Sequence, residues 1–227
     1  MVRVLAIADE EAPNLHAQAL RDLAPDLVLS AGDLTWDYVE YVASAVDAPV
    51  AFVPGNHEPA IPRVKQARNG TYVCDGIVCD APRPHGALNA DRTVLELAGL
   101  RIAGLGGCVR YREGPHQYTQ HQYRRLARRL ARRARRAGPV DVLLTHAPPF
   151  GLGDGDDRPH VGIEALRDAI EILSPTWHLH GHIHPYGHAQ PDRRLGATTI
   201  GNVIPWRMFE IEPRQAAGRA RAGRMVE

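Results

Sequence analysis

The densest chemistry in this chain lies in Trp177-His178-Leu179-His180-Gly181-His182-Ile183-His184, where imidazoles take every second position as an apolar run gives way to a loop. Neutral imidazole suits Zn, Fe, Mn or Cu, and a Gly between ligands lets the backbone turn so that two side chains converge on one ion. The same spacing also describes a half-buried strand with histidines on one face, so this stretch alone leaves both readings open. Four other stretches narrow the choice. Asp9 follows the apolar run that starts at Val2, Asp33 follows the run through Ser30, Asn56 follows the run through Val53, and His146 follows the run from Val140. Singly, each has an ordinary explanation: Asp9 as a helix cap, Gly32-Asp33 and Gly55-Asn56 as turns. Five apolar runs that each end in a potential metal ligand point instead to carboxylate, amide and imidazole donors gathered at one place.

Periodicity supplies the elements that would gather them. Val2 to Ala8 reads as a buried strand, Asn14 to Leu23 as a helix ended by Pro25, and Asp26 to Ser30 as a second strand. Trp36 to Val46 has helical spacing and Pro49 to Val53 reads as a third strand. This βαβαβ rhythm predicts parallel strands with right-handed crossovers, and parallel strands deliver the loops beyond their carboxyl ends to one edge. Thr71 to Cys79 and Thr93 to Leu105 read as shorter strands, with a hairpin at Ala98-Gly99. Val140 to Leu144, Thr176 to His180, Thr198 to Val203 and Arg207 to Ile211 read as further strands, and Thr119 to Ala137 and Ile163 to Leu173 as helices.

Composition sets the frame around these elements. A chain of 227 residues, 44% hydrophobic and 23% charged, can bury one large core. Residues 1–215 read as a single domain, followed by a small basic tail, 216–227, expected to fray. A net charge of +1 carries no overall bias toward nucleic acid or membrane. Cys74, Cys79 and Cys108 form no CxxC pair and are odd in number, which reads as reduced thiols. The apolar run before Asp9 is too short for a signal peptide or a membrane span, so the expected location is the cytoplasm.

Taken together, Asp9-Glu10-Glu11, Gly32-Asp33, Gly55-Asn56-His57-Glu58, Thr145-His146 and Gly181-His182-Ile183-His184 resemble the motif series of the calcineurin-like metallophosphoesterases. The resemblance runs from about residue 2 to residue 204 and departs at one position, where Glu11 stands in place of the family's His. It implies a four-layer α/β/β/α sandwich of two mixed sheets flanked by helices. It also implies two divalent metal ions, Mn first, with Fe, Zn, Mg and Ni as alternatives. Asp33 would be the bridging carboxylate, with Asp9, His184 and Glu11 on the first metal and Asn56, His146 and His182 on the second. The reaction implied is hydrolysis of a phosphomonoester or phosphodiester by a metal-bound hydroxide. His57 would protonate the leaving oxygen, with Glu58 orienting its ring.

Several residues outside those motifs carry chemistry too. His160 and Arg158, in the polar loop after the His146 strand, could touch substrate or simply be solvated. Arg110, after Gly106-Gly107, could clamp a phosphate bidentately. Cys108 reads as a small buried residue, and His178 and His180 as strand packing. Eight arginines from Arg124 to Arg136 surround Leu126 and Leu130, which describes either a solvated helix face or a stripe for nucleic-acid phosphates. Two function classes therefore stand at this point: a phosphoesterase, or a catalytically weak relative that uses the scaffold to bind a ligand or nucleic acid.

Overall fold

The computed structural model describes residues 1–62, 64–74, 76–187 and 190–214, so the expected basic tail lies outside the described residues. In chain order the elements are β1 (Val2–Ile7), α1 (Ala17–Leu23), β2 (Leu27–Ser30), α2 (Trp36–Ala45), β3 (Val50–Phe52), β4 (Val64–Gln66), β5 (Tyr72–Cys74), β6 (Ile77–Cys79), β7 (Ala87–Asn89), β8 (Val94–Leu97) and β9 (Leu100–Leu105). They continue as β10 (Cys108–Val109), β11 (Gln117–Tyr118), α3 (Gln120–Ala137), β12 (Val142–Thr145), α4 (Glu164–Leu173), β13 (Trp177–His180), β14 (Arg193–Leu195), β15 (Thr198–Asn202) and β16 (Trp206–Ile211).

Five strands in the order β16-β1-β2-β3-β7 form one sheet, parallel except for β16. Six in the order β14-β15-β13-β12-β9-β8 form a second, with parallel inner pairings and antiparallel strands at both edges. The parallel inner strands explain the nearly continuous apolar runs of the sequence, because such strands are covered on both faces. Alternation then sorts the side chains. β1 sends Val4 and Ala6 into the core between the sheets, and Leu5 and Ile7 toward α1 and α2. β12 sends Val142 and Leu144 into that same core, and Leu143 toward α3 and α4. The result is the expected four-layer α/β/β/α sandwich. Truncating a fully buried residue of the middle layer, Ile102 or Leu144, to Ala should cost about 2–5 kcal/mol.

Local signals also hold. Ala98 and Gly99 take φ of 50° and 79°, the left-handed pair that a tight hairpin between β8 and β9 needs. Thr119 and Gln122 form a reciprocal capping box that starts α3. That helix buries Tyr123, Ala127, Leu130, Ala131 and Ala134 and turns most of its arginines outward. Helix α1 begins at Ala17 and not at Asn14, because the His16 ring accepts the Ala19 N–H as its cap. Strands β4, β7, β10, β11 and β14 were not expected. Two or three residues are too few to show a period of two. Among the described residues no helix is long and apolar enough to cross a membrane.

Candidate metal centre

Three residues at the carboxyl ends of strands share an unusual backbone. Asp9 after β1, Asp33 after β2 and His182 after β13 have φ of 61°, 57° and 68°. A left-handed conformation costs a residue with a Cβ about 1–2 kcal/mol, so three at one edge mark strain held in place by the surrounding fold. The left-handed turns throw the side chains sideways off the strand ends. Gly55 and Gly181 make room for them. A Cβ on Gly55 would collide with the Asp33 carboxylate, and a Cβ on Gly181 would collide with that of Asp9. The glycine between His180 and His182 is thus needed for close approach, while His182 itself makes the turn.

Donor atoms converge from both sheets. Potential ligand atoms of Asp33, His146 and His182 all lie within 4.8 Å of one another. His146 Nε2 stands 3.3 Å from Asp33 Oδ2 and 3.1 Å from Asn56 Oδ1. Its Nδ1 donates to the Ala31 carbonyl at 2.8 Å, which turns Nε2 toward the cluster. The His182 Nε2 donates to the Pro159 carbonyl at 2.9 Å, leaving Nδ1 as its free nitrogen. Asn56 Nδ2 donates to the Tyr111 hydroxyl at 3.2 Å, so the amide presents its oxygen to the centre. On the other side, Asp9 accepts the His182 N–H at 3.0 Å, and His184 Nε2 lies 3.9 Å from Asp9 Oδ1.

Charge is the main tension in this arrangement. Burial raises Asp9 to about 6, and burial with repulsion from Asp33 raises Glu58 to about 8. Burial also opposes ionisation of Asp33, yet the His146 imidazolium beside it holds that carboxyl well below the usual carboxylate range. His146 itself is fully buried, which should lower it, but Asp33, Asp9 and Glu58 raise it to about 10. Burial and the nearby His146 lower His182 to about 3. A proton on His146 therefore does the balancing that a cation would do. This donor set, mixed oxygen and imidazole nitrogen with its ring orientations fixed from behind, fits a divalent metal.

The structure revises several sequence expectations. Asp9, Asp33, Asn56, His182 and His184 line one cleft, and His146 lies against Asp33 and Asn56. Glu11 is exposed and accepts the hydroxyl of Thr35, the residue that caps α2. The carboxylate that meets the cluster is that of Glu10, which accepts from His184 Nδ1 at 2.9 Å. The resemblance points to Glu11, but the left-handed Asp9 ends the strand, and it is Glu10 that turns to His184. Glu58 does not touch the His57 ring. It accepts the Asp33 N–H at 2.7 Å and the Gly55 N–H at 2.9 Å, binding the two loops together. Arg110 turns to the Gln117 carbonyl, at 3.3 Å, and lies outside the cleft. Arg112, also outside the cleft lining, comes nearer the site: its Nη2 is 3.5 Å from His57 Nδ1 and its guanidinium lies over the Tyr111 ring.

His57 is exposed, and its N–H donates to Asp33 Oδ1 at 2.8 Å. Its Nε2 faces Asp33 Oδ2 at 3.9 Å. His160 lines the cleft with Asp157 behind its Nδ1 at 2.7 Å. His178 and His180 are buried in β13, both lowered by burial and therefore neutral. Cys108 is buried, and burial raises its thiol to about 12. Arg124 pairs with Glu164. The sequence missed Glu10, Tyr111 and Arg112, although the last two lie in or beside the stretch that drew attention to Arg110.

Asp9, Asp33, Asn56, His57, His182 and His184 open onto a cleft of about 320 Å³, closed on its far side by Tyr111, Pro159 and His160. A larger cavity of about 430 Å³ lies against β7. Its own charged groups, Arg83 and His85, are already occupied by Glu40. The chemistry therefore belongs to the smaller cleft.

The sequence model for calcineurin-like phosphoesterases matches residues 8–186, which takes in every residue of this centre. One solved structure aligns with 95% of this chain and 99% of its own, at 13% identity and a TM-score of 0.62. Another, the protein TT1561 of Thermus thermophilus, aligns with 88% of this chain and 87% of its own, at 17% identity and a TM-score of 0.54. At such identities these structures share the fold with this chain and nothing finer. No curated protein matches it. With a family model spanning most of its length and the matching sandwich fold, this chain belongs to the calcineurin-like phosphoesterase family.

Proposed function

We propose that this protein is a binuclear metal-dependent phosphoesterase that hydrolyses a phosphomonoester or phosphodiester. The observation that carries the proposal is the convergence of Asp33, His146 and His182, whose potential ligand atoms lie within 4.8 Å of one another, with Asn56 Oδ1 3.1 Å from His146 Nε2 and with Asp9 and His184 lining the same cleft. Two divalent cations held there, with manganese the first to try, would neutralise phosphate oxygens and acidify a water near neutral pH.

The remaining work falls to the chain. Asn56 adds a ligand oxygen without charge, which keeps the site attractive to a phosphate. Glu10 holds the His184 ring and the Ala31 carbonyl holds that of His146, so the nitrogens need no reorientation when the site fills. His57 stands at the edge of the cleft, and in its protonated form it would give a ring proton to the leaving oxygen and be left as neutral imidazole. Arg112, over the Tyr111 ring, adds positive charge beside His57. His160 forms the opposite wall. Without Glu11 among the donors, Asp9, Asp33 and His184 hold the first cation.

The test is a panel of phosphoesters, including nucleotides, cyclic nucleotides and nucleic acid, run on metal-free protein resupplied with single metals. The expected result is hydrolysis restored by a divalent metal, manganese foremost. No hydrolysis of any ester with any metal would overturn the proposal.

A further inference from the structure

Beside the metal cleft lies a second cavity of about 260 Å³, lined by Asp33, Leu34, Thr35, Trp36, His57, Glu58 and Pro59. The two cavities share Asp33 and His57. Apart from the Trp36 indole N–H and the His57 ring, the polar groups of the second one are already engaged. Glu58 accepts two backbone N–H groups, the Thr35 hydroxyl joins Glu11 to the start of α2, and Asp33 accepts the His57 N–H. What remains is apolar: Leu34, Pro59 and a half-buried Trp36. The indole is held by an edge-to-face contact with Phe52, centroids 5.5 Å apart, so its position is fixed before any ligand arrives.

We infer that this cavity is a leaving-group subsite that takes an aromatic substituent on the alcohol side of the ester. The inference rests on the phosphoesterase reading and deepens it to a substrate class. In hydrolysis the bond from phosphorus to the alcohol oxygen breaks and a bond from phosphorus to a water oxygen forms. His57 in its protonated, imidazolium form passes a ring proton to the departing oxygen, giving a neutral alcohol and phosphate, and the neutral imidazole left behind is recharged by the proton that the attacking water gives up. The oxygen that leaves must therefore lie against His57. Since His57 is a wall of both cavities, a phosphate seated at the metal cluster directs the substituent on that oxygen into the Leu34, Trp36 and Pro59 pocket. A flat ring can stack on the fixed indole and cover the apolar lining of Leu34 and Pro59.

The test uses full-length protein and three monoesters of primary alcohols, methyl, benzyl and 1-naphthylmethyl phosphate, so that alcohol acidity varies little. Wild-type kcat/KM should favour the aryl esters over methyl phosphate by about tenfold or more. The ratio should fall to about twofold in Trp36→Ala and largely survive in Trp36→Phe, which also controls for damage to α2. Separately, binding of 1-naphthylmethanol is measured by ligand-observed NMR on metal-free protein, where nothing turns over. It should be present in the wild type and in His57→Ala, and lost in Trp36→Ala. Alcohol binding that depends on Trp36 in a protein that hydrolyses no ester would refute the catalytic reading and leave the subsite standing. An aryl-to-methyl ratio near one, or alcohol binding indifferent to Trp36, would overturn the subsite.

Discussion

The two sheets bring different atoms to the proposed centre. Asp9, Asp33 and Asn56 leave β1, β2 and β3 of the five-stranded sheet and bring oxygen, whereas His146, His182 and His184 leave β12 and β13 of the six-stranded sheet and bring nitrogen. Each half is uncomfortable without the other. On the oxygen side, burial and mutual repulsion raise Asp9 to about 6 and Glu58 to about 8. On the nitrogen side, burial leaves His178, His180 and His182 neutral. Of these buried imidazoles, His146 alone, set against Asp33, keeps a proton, with its pKa raised to about 10. The centre is thus a property of the packed sandwich. The apolar layer of Val4, Leu29, Ile102 and Leu144 sets the distance across which oxygen and nitrogen meet.

The residue that joins the halves should matter most. Asp33→Asn is expected to lower kcat/KM by about 10⁴-fold, since in the proposed centre one carboxylate would serve both cation positions, and to reduce metal content. Activity assays with metal analysis would check this, and near-normal activity with both metals present would break the comparison. His57→Ala should come next, lowering turnover by about 10²–10³-fold while metal content stays unchanged, because in the proposed mechanism His57 would act on the reacting group and not on the cations. A loss below about threefold would make His57 structural.

The proton on His146 gives a third expectation. Its raised pKa means that metal-free protein near pH 7 holds a proton where a cation must bind, so loading should release protons. Apparent metal affinity should then rise as pH rises, by up to about tenfold per unit for each proton displaced. Titrations at pH 6, 7 and 8 with proton-release measurements test this, and an affinity independent of pH would contradict it. The smallest effect separates two neighbouring carboxylates. Glu10→Gln should weaken metal binding by about tenfold through the loosened His184 ring, whereas Glu11→Ala should leave occupancy unchanged. The reverse result would restore Glu11 as a ligand.

Much of this was legible in the sequence, for a physical reason. β1, β2, β3, β12 and β13 are buried on both faces, so each shows as an apolar run, and the polar residue ending each run stands out. What escaped detection depends on backbone conformation. The choice of Glu10 over Glu11 follows from the left-handed Asp9, and that of Arg112 over Arg110 from a loop that turns at Gly107, φ 81°, and closes through the two-residue pairing of β10 with β11. The Ala31 and Pro159 carbonyls that orient His146 and His182 are backbone atoms, which residue type cannot mark. Glu58 sits next to His57 in sequence, yet its carboxylate serves the backbones of Asp33 and Gly55.

The central claim is that Asp33 joins two cation positions built from opposite sheets. The most direct measurement is anomalous diffraction from manganese-soaked crystals at the metal absorption edge. The account predicts two peaks flanking the Asp33 carboxylate, one against Asp9 and His184 and the other against Asn56, His146 and His182. A single peak held by Asp33, His146 and His182, with nothing beside Asp9 at saturating metal, would contradict it.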